Sequence, residues 1–257
     1  MATLHYAPNS NFRGTEYLPG RFGFNLADVE APGQLAYLGT NVRALVYVGS
    51  CAGVTRSFVS KVAAYIRSPL VFGFYLMDEP DALGGFKPRC APSKLRSESD
   101  WIHQHDESAK TFIVLLNRSS PEHPSYTHTY NRKNSHIDLF GIDPYPCRSE
   151  YGGCRLSIIN RYVAAAEAVG IEPREIVPVF QAFGGGLYDD GNGGRFLAPT
   201  PAEERRMLVK WQHLVPHPSF DYAYSWGSQM RDTALEQLPM LAKVFADHNS
   251  KRPRSGV

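Results

Sequence analysis

The sequence predicts an α/β chain closed into a (β/α)8 barrel, and three observations carry that prediction. Apolar runs suited to strands buried on both faces alternate with amphipathic helical stretches. The chain has 257 residues, close to the roughly 250 of such a barrel. The Gly-rich turn that marks a doubly wound dinucleotide-binding sheet is missing after the first run, where Asn25-Leu-Ala-Asp28 stands instead.

Seven strand segments are readable in order: Phe22 to Leu26, Ala44 to Val48, Val71 to Met77, Thr111 to Leu116, Ile137 to Ile142, Ile176 to Ala182 and Tyr222 to Trp226. An eighth is required and is not located, and a strand before Ala44 would supply it. The helices between them carry start and stop signals. Thr55 is a plausible N-cap for a helix whose buried face is Phe58, Val59, Val62, Ala63 and Ile66. Ser157 precedes Ile158, Ile159, Tyr162, Val163 and Ala166, and Gly170 can end that helix. Thr200-Pro201-Ala-Glu203 combines an N-cap, a first-turn proline and the closing glutamate of a capping box. No repeat or linker divides the chain, so residues 1 to 257 read as one barrel of the TIM type, a single catalytic domain.

Composition narrows the function. Hydrophobic residues make up 43% of the chain, enough for a sizeable core, and 27 Lys+Arg against 25 Asp+Glu leave +2. Without a field of one sign, nucleic acid and acidic membrane surfaces are excluded as expected partners. No apolar run approaches the ~20 residues needed to span a bilayer. A monomer is expected. Cys51, Cys90, Cys147 and Cys154 sit in Gly/Pro-rich or polar loops without zinc-ligand spacing. They read as two disulfides, Cys51–Cys90 and Cys147–Cys154, and therefore as a secreted protein. Met1-Ala-Thr-Leu-His-Tyr-Ala7 has no signal-peptide pattern, as for a mature domain behind a start methionine.

Chemistry in this fold gathers at the C-terminal ends of the strands, and here those ends are polar. They supply Asn25 and Asp28, then Tyr75-Leu-Met-Asp78-Glu79-Pro80, Asn117, Asp143-Pro-Tyr145-Pro146, Gln181, and Tyr224-Ser-Trp226. Acids and amides bond to hydroxyls, and aromatic faces stack on the apolar face of a pyranose ring. Carbohydrate is the expected partner, with no cofactor and no metal. The candidate catalytic residues are Glu79, Asp78 and Asp143. The candidate sugar-binding residues are Asn25, Asp28, Tyr75, Asn117, Tyr145, Gln181, Tyr224 and Trp226.

Tyr-Leu-Met-Asp78-Glu79-Pro80 resembles the fourth-strand end of retaining (β/α)8 glycoside hydrolases, where Asn-Glu-Pro carries the acid/base glutamate. Gly-Ile-Asp143-Pro-Tyr145-Pro resembles their sixth strand, and Tyr224-Ser-Trp226-Gly their eighth, whose Trp floors a sugar subsite. The resemblance spans residues 71 to 227 and implies a glycosidase with Glu79 as acid. Two positions depart from it. Asp78 replaces the Asn, and Gln181 stands in the seventh-strand segment that presents the nucleophilic glutamate. Glutamine cannot be that nucleophile. One remaining scheme resembles chitinases and hexosaminidases: the substrate's acetamido oxygen attacks while Asp78 orients it and Tyr145 helps hold it. The other is an inverting pair, Glu79 with Asp143 or Asp28 as base, separated by roughly 6.5–9.5 Å; it is slightly favoured, because no motif specifically calls for an N-acetyl group.

Plainer roles compete. Asp78-Glu79-Pro80 could cap a helix begun by Pro80, Asp143 could bond loop amides, and Trp226 could be core. His103-Gln-His105-Asp106 reads as a solvated helix end rather than a metal motif. Asp189-Asp190-Gly-Asn192-Gly reads as a rim loop rather than a calcium loop, lacking the closing Glu. Asn117-Arg-Ser119 has the form of a glycosylation sequon, but its strand-end position favours a site amide. Three classes remain: a glycosidase, a catalytically silent carbohydrate-binding barrel, and a hydrolase of another bond using the same acids.

Overall fold

The computed structural model describes residues 3–85, 88–188 and 195–250. Eight parallel strands close into a barrel: β1 (Leu4–Tyr6), β2 (Leu26–Val29), β3 (Arg43–Tyr47), β4 (Val71–Met77), β5 (Lys110–Val114), β6 (Leu139–Ile142), β7 (Ile176–Gln181) and β8 (Phe220–Tyr224). Each pairs with its sequence neighbour, and β1 closes the ring on β8 with Leu4 opposite Phe220 and Tyr6 opposite Tyr222. The strand missing from the sequence reading is β1, only 3 residues long. Counting it makes Val71–Met77 the fourth strand, so the three motifs fall on barrel strands four, six and eight.

The expected strand Phe22 to Leu26 is a correction. Phe22 ends a 3-10 helix (Leu18–Phe22) and the strand runs from Leu26 to Val29. Aromatic Phe22 and Phe24 mimic strand alternation, but they pack outside the barrel, Phe22 on Trp226 and Phe24 on Phe245.

Among the described residues six helices surround the strands: α1 (Arg56–Ala63), α2 (Pro92–His105), α3 (Arg132–Ser135), α4 (Ser157–Ala168), α5 (Pro201–Leu214) and α6 (Pro239–Asn249). The starts follow from the caps. Thr55 Oγ1 accepts from the Phe58 amide at 3.1 Å, and Thr200 and Glu203 form a reciprocal capping box.

Strand alternation sorts side chains into two cores. Tyr6, Leu26, Leu45, Phe72, Phe112, Val177 and Phe220 fill the barrel, and Val46, Phe74, Ile113, Phe140 and Phe180 face the helices. Gly73 in β4 is needed for close approach, since a Cβ there would lie 2.2 Å from the Lys110 carbonyl oxygen of β5. Both expected disulfides form, Cys51–Cys90 and Cys147–Cys154, with Cα separations of 5.4 and 3.8 Å. No helix among the described residues is long and apolar enough to cross a membrane. Two disulfides and the absence of such a helix are compatible with an extracellular protein.

Candidate active site

The end of β4 is irregular in a way that serves the two acids. Its register against β5 shifts between Tyr75 and Met77, and Glu79 follows in the left-handed region at φ 38°. A bulge plus a left-handed residue lets consecutive side chains, which would otherwise alternate, address one rim. Left-handed backbone is costly for a non-glycine residue and persists where surroundings enforce it; Tyr145, after β6, has φ 37°. The helix after β4 begins only at Pro92, so Asp78 and Glu79 cap no helix.

Asp78 and Glu79 are open to solvent through the mouth of the cleft, while protein crowds their other sides. The Tyr75 hydroxyl donates to Asp78 Oδ1 at 2.5 Å. The Glu79 and Asp143 carboxyls are near enough to influence each other's protonation. Removal from water is the main cause that pushes the Glu79 carboxyl up to about 7, and the adjacent Asp78 charge adds to it. Burial, then the Glu79 and Asp78 charges, hold Asp143 well above the ordinary carboxylate range. Two neighbouring carboxyls in such a place titrate together, so the pair acts as one reservoir of protons. Asp78 is raised by desolvation too, against the Tyr75 bond.

Beside this pair lies a cavity of about 140 Å³ whose walls include Tyr6, Asp28, Tyr47, Tyr75, Asp78 and Tyr224. Asp28 is 7% exposed. Burial raises its carboxyl to about 6 despite a 3.0 Å hydrogen bond from the Tyr6 hydroxyl. Tyr224 donates to Gln229 Oε1 at 2.7 Å and meets the Tyr188 hydroxyl at 2.9 Å. Tyr145 is held among Phe183, Phe196 and Tyr224 at ring distances of 5.1, 5.6 and 5.9 Å. Its carbonyl accepts from Arg148 Nε at 3.2 Å, within the loop that Cys147–Cys154 closes.

The structure therefore gathers Glu79, Asp78, Asp143, Asp28, Tyr75, Tyr145 and Tyr224 at one end of the barrel. It withdraws four expected sugar contacts. Asn25 precedes β2 rather than ending it, and its Oδ1 accepts from the His5 amide at 2.8 Å at the opposite face. Asn117 is spent on its own loop, bonding the Ser119 and Ser125 amides, the Ser119 carbonyl and the Tyr162 hydroxyl. Gln181 is fully buried and braces the β6 loop: Oε1 accepts from the Cys147 amide at 2.8 Å, while Nε2 donates to the Cys147 and Leu197 carbonyls at 2.9 and 3.0 Å. Trp226 is 4% exposed and packs on Phe22 at 5.6 Å, in the core between barrel and helices. As close neighbours, Glu79 and Asp143 suit a shared proton better than the inverting assignment, which sets acid and base roughly 6.5–9.5 Å apart around a water.

Gln229, part of the polar run after β8, lines the cavity, and so do Tyr6, Tyr47 and Glu30, which the sequence reading did not single out. Tyr6 and Tyr47 end β1 and β3 with a hydroxyl above an apolar strand, a signal readable once those strand ends are known. His103, His105 and Asp106 diverge to the Asp138 carboxylate, the Trp101 carbonyl and the Arg67 amide. A hollow of about 740 Å³ beside them lies where α2 ends and β5 begins, at the face away from the acids. Asp189, Asp190 and Asn192 lie outside the described residues.

No protein-family model matches the sequence, and no curated protein does. Solved structures do match. Active domain 2 of a thermostable chitinase from Pyrococcus furiosus aligns with TM-score 0.61 and 9% identity over 98% of both chains. The fold is shared with family 18 chitinases. A chitinase from Rhizomucor miehei aligns at TM-score 0.58 and 11% identity over 96% of this chain and 99% of that one. A fungal endo-β-N-acetylglucosaminidase of glycosyl hydrolase family 18 gives 0.57 and 10% over 96% and 97%. At these identities the likeness is one of fold, and the chemistry rests on the side chains described above.

Proposed function

We propose that this protein is a secreted glycoside hydrolase that cleaves glycosidic bonds between N-acetylhexosamine units, with Glu79 as general acid. The observation that carries the proposal is the irregular end of β4, which brings Glu79 to the rim beside Asp78 and near Asp143, in surroundings that push its carboxyl up to about 7. A carboxyl still protonated near neutrality can deliver a proton to a leaving glycosidic oxygen. Asp143, its neighbour, is placed to share that proton and, while itself protonated, to stabilise the ionised Glu79 after transfer.

The nucleophile must then come from elsewhere, since β7 ends in a Gln181 committed to backbone groups. A substrate acetamido oxygen would serve, attacking the anomeric carbon as Glu79 protonates the departing oxygen. Asp78, oriented by the Tyr75 hydroxyl, would hold the acetamido N–H and balance the positive charge of the cyclic intermediate. Water then opens that intermediate, Glu79 takes its proton, and the anomeric configuration is retained. Tyr145 and Tyr224 supply the aromatic wall for the ring. Chitinases and an N-acetylglucosaminidase among the structures of similar fold suit this substrate class.

Asp28 supports a second reading. It lines the same cavity as Asp78 with its carboxyl raised to about 6, and could activate a water for inversion. Release of reducing sugar from a panel of N-acetylated and non-acetylated oligosaccharides tests the proposal. Turnover should be found on acetamido sugars and fall at least ~10²-fold in Glu79→Gln. Binding without turnover by the unsubstituted protein would make it a carbohydrate-binding barrel instead.

A further inference from the structure

The seam where the barrel closes carries a second cluster that the proposed chemistry does not use. His5 of β1, Asp221 of β8 and His248 near the end of α6 converge in the layer between barrel and helix. His5 Nδ1 donates to Asp221 Oδ1 and His248 Nε2 to Asp221 Oδ2, both at 2.9 Å, and the three potential ligand atoms lie within 4.8 Å of one another. The rings stand edge to face with centroids 5.4 Å apart. His5 and Asp221 are 8% and 4% exposed, and His248 forms the side open to water.

We propose that His5, Asp221 and His248 form a binding site for a divalent transition metal of the zinc class. Two imidazoles and one carboxylate are a donor set that zinc takes, at 2.0–2.2 Å, with water completing four-coordination. Donors at that range sit about 3.3 Å apart in a tetrahedron, so the existing contacts admit an ion after shifts under about 1 Å. The ion replaces the two protons now pointing at Asp221. With the ion bound, each neutral imidazole carries its one proton on the other nitrogen, His5 Nε2 or His248 Nδ1, either moved there from the ligating nitrogen or left behind when a doubly protonated ring releases one to water; neither nitrogen has another side-chain or backbone partner among the described residues.

The location gives the ion a structural consequence. β1 has only 3 residues and meets β2 at the single register pair Tyr6 and Leu26. A metal held by β1, β8 and α6 would anchor this short first strand to the last strand and last helix, compensating for its single pair with β2. The site lies on the outer side of the barrel wall, because Tyr6 and Tyr222, next in sequence to His5 and Asp221, point inward. It is thus independent of the cleft.

Zinc titration of the whole protein, followed by metal analysis after desalting, tests this directly. About one equivalent of zinc should be retained, and the melting temperature should rise by about 5 °C in excess zinc but not in magnesium. Cobalt(II) should give the visible bands of a tetrahedral ion with nitrogen and oxygen ligands, a readout that needs no variant. His248→Ala should lose both zinc retention and the melting shift; its side chain is 20% exposed, so its removal leaves the least buried gap of the three. Failure of the unsubstituted protein to take up zinc at tens of micromolar, or equal uptake by His248→Ala, would overturn the proposal and leave the cluster as a hydrogen-bonded brace.

Discussion

Replacing Glu79 by Gln should make the protein more stable above neutral pH while leaving it unchanged in acid. The unfolded chain ionises this group at an ordinary 4.5, and the folded chain holds it to about 7. Below both values the group is protonated in both states and contributes nothing. Between them the folded state binds more protons than the unfolded one, so stability falls as pH rises, and the loss is complete once pH passes the folded value. The span of 2.5 units would correspond to about 3.4 kcal/mol at 1.36 kcal/mol per unit. Because Glu79 faces solvent on one side, screening reduces that to about 1–2 kcal/mol. Gln keeps the shape and can accept the Asp143 proton, but carries no charge to desolvate. Urea unfolding of both proteins from pH 4 to 8.5 measures the difference, and every unrelated titration cancels in it. The two stability curves should coincide at pH 4 and separate steadily to pH 7.5. Parallel curves would mean that Glu79 ionises normally, and the reasoning that makes it an acid catalyst would fail.

Turnover itself should decline above pH 7, since the general acid works only while protonated and that form is lost as pH rises through about 7; a rate unchanged to pH 9 would contradict this. Trp226→Ala should destabilise the fold by about 3–5 kcal/mol, as for a large core side chain, and the residual folded protein should keep its substrate affinity. Tyr145→Ala should do the reverse, raising KM about tenfold with a small change in melting temperature. Exchange of those two phenotypes would return Trp226 to the cleft.

The barrel was legible because its strands are long and apolar where they are buried on both sides, as in Val71–Met77 and Ile176–Gln181. What escaped were elements too short to show a period. Leu4–Tyr6 offers only two inward residues around one outward histidine, a single period of alternation, and the aromatic pair Phe22 and Phe24 imitated a strand beside it. That offset put Asn25 at the wrong end of β2. The acids were legible through their order along the chain, which follows the barrel position of their strands. The direction a strand-end side chain takes was not. Gln181 and Trp226 sit at the ends of β7 and β8 but turn toward backbone groups and helices, and nothing local to either residue encodes that choice. The proximity of Glu79 to Asp143 likewise depends on the bulge in β4. His5, Asp221 and His248 come from the two ends of the chain, where no ligand spacing could reveal them.

The most direct test of the account is the anomeric form of the first product, followed by proton NMR during cleavage of an N-acetylglucosamine oligosaccharide. Acetamido participation with Asp78 and Glu79 predicts that the configuration is retained, and that the same enzyme leaves the corresponding glucose oligosaccharide intact. An inverted product would transfer the second catalytic role to Asp28. Retention on a substrate without acetamido groups would contradict the account, because the chain places no carboxylate at the end of β7 to form a covalent intermediate.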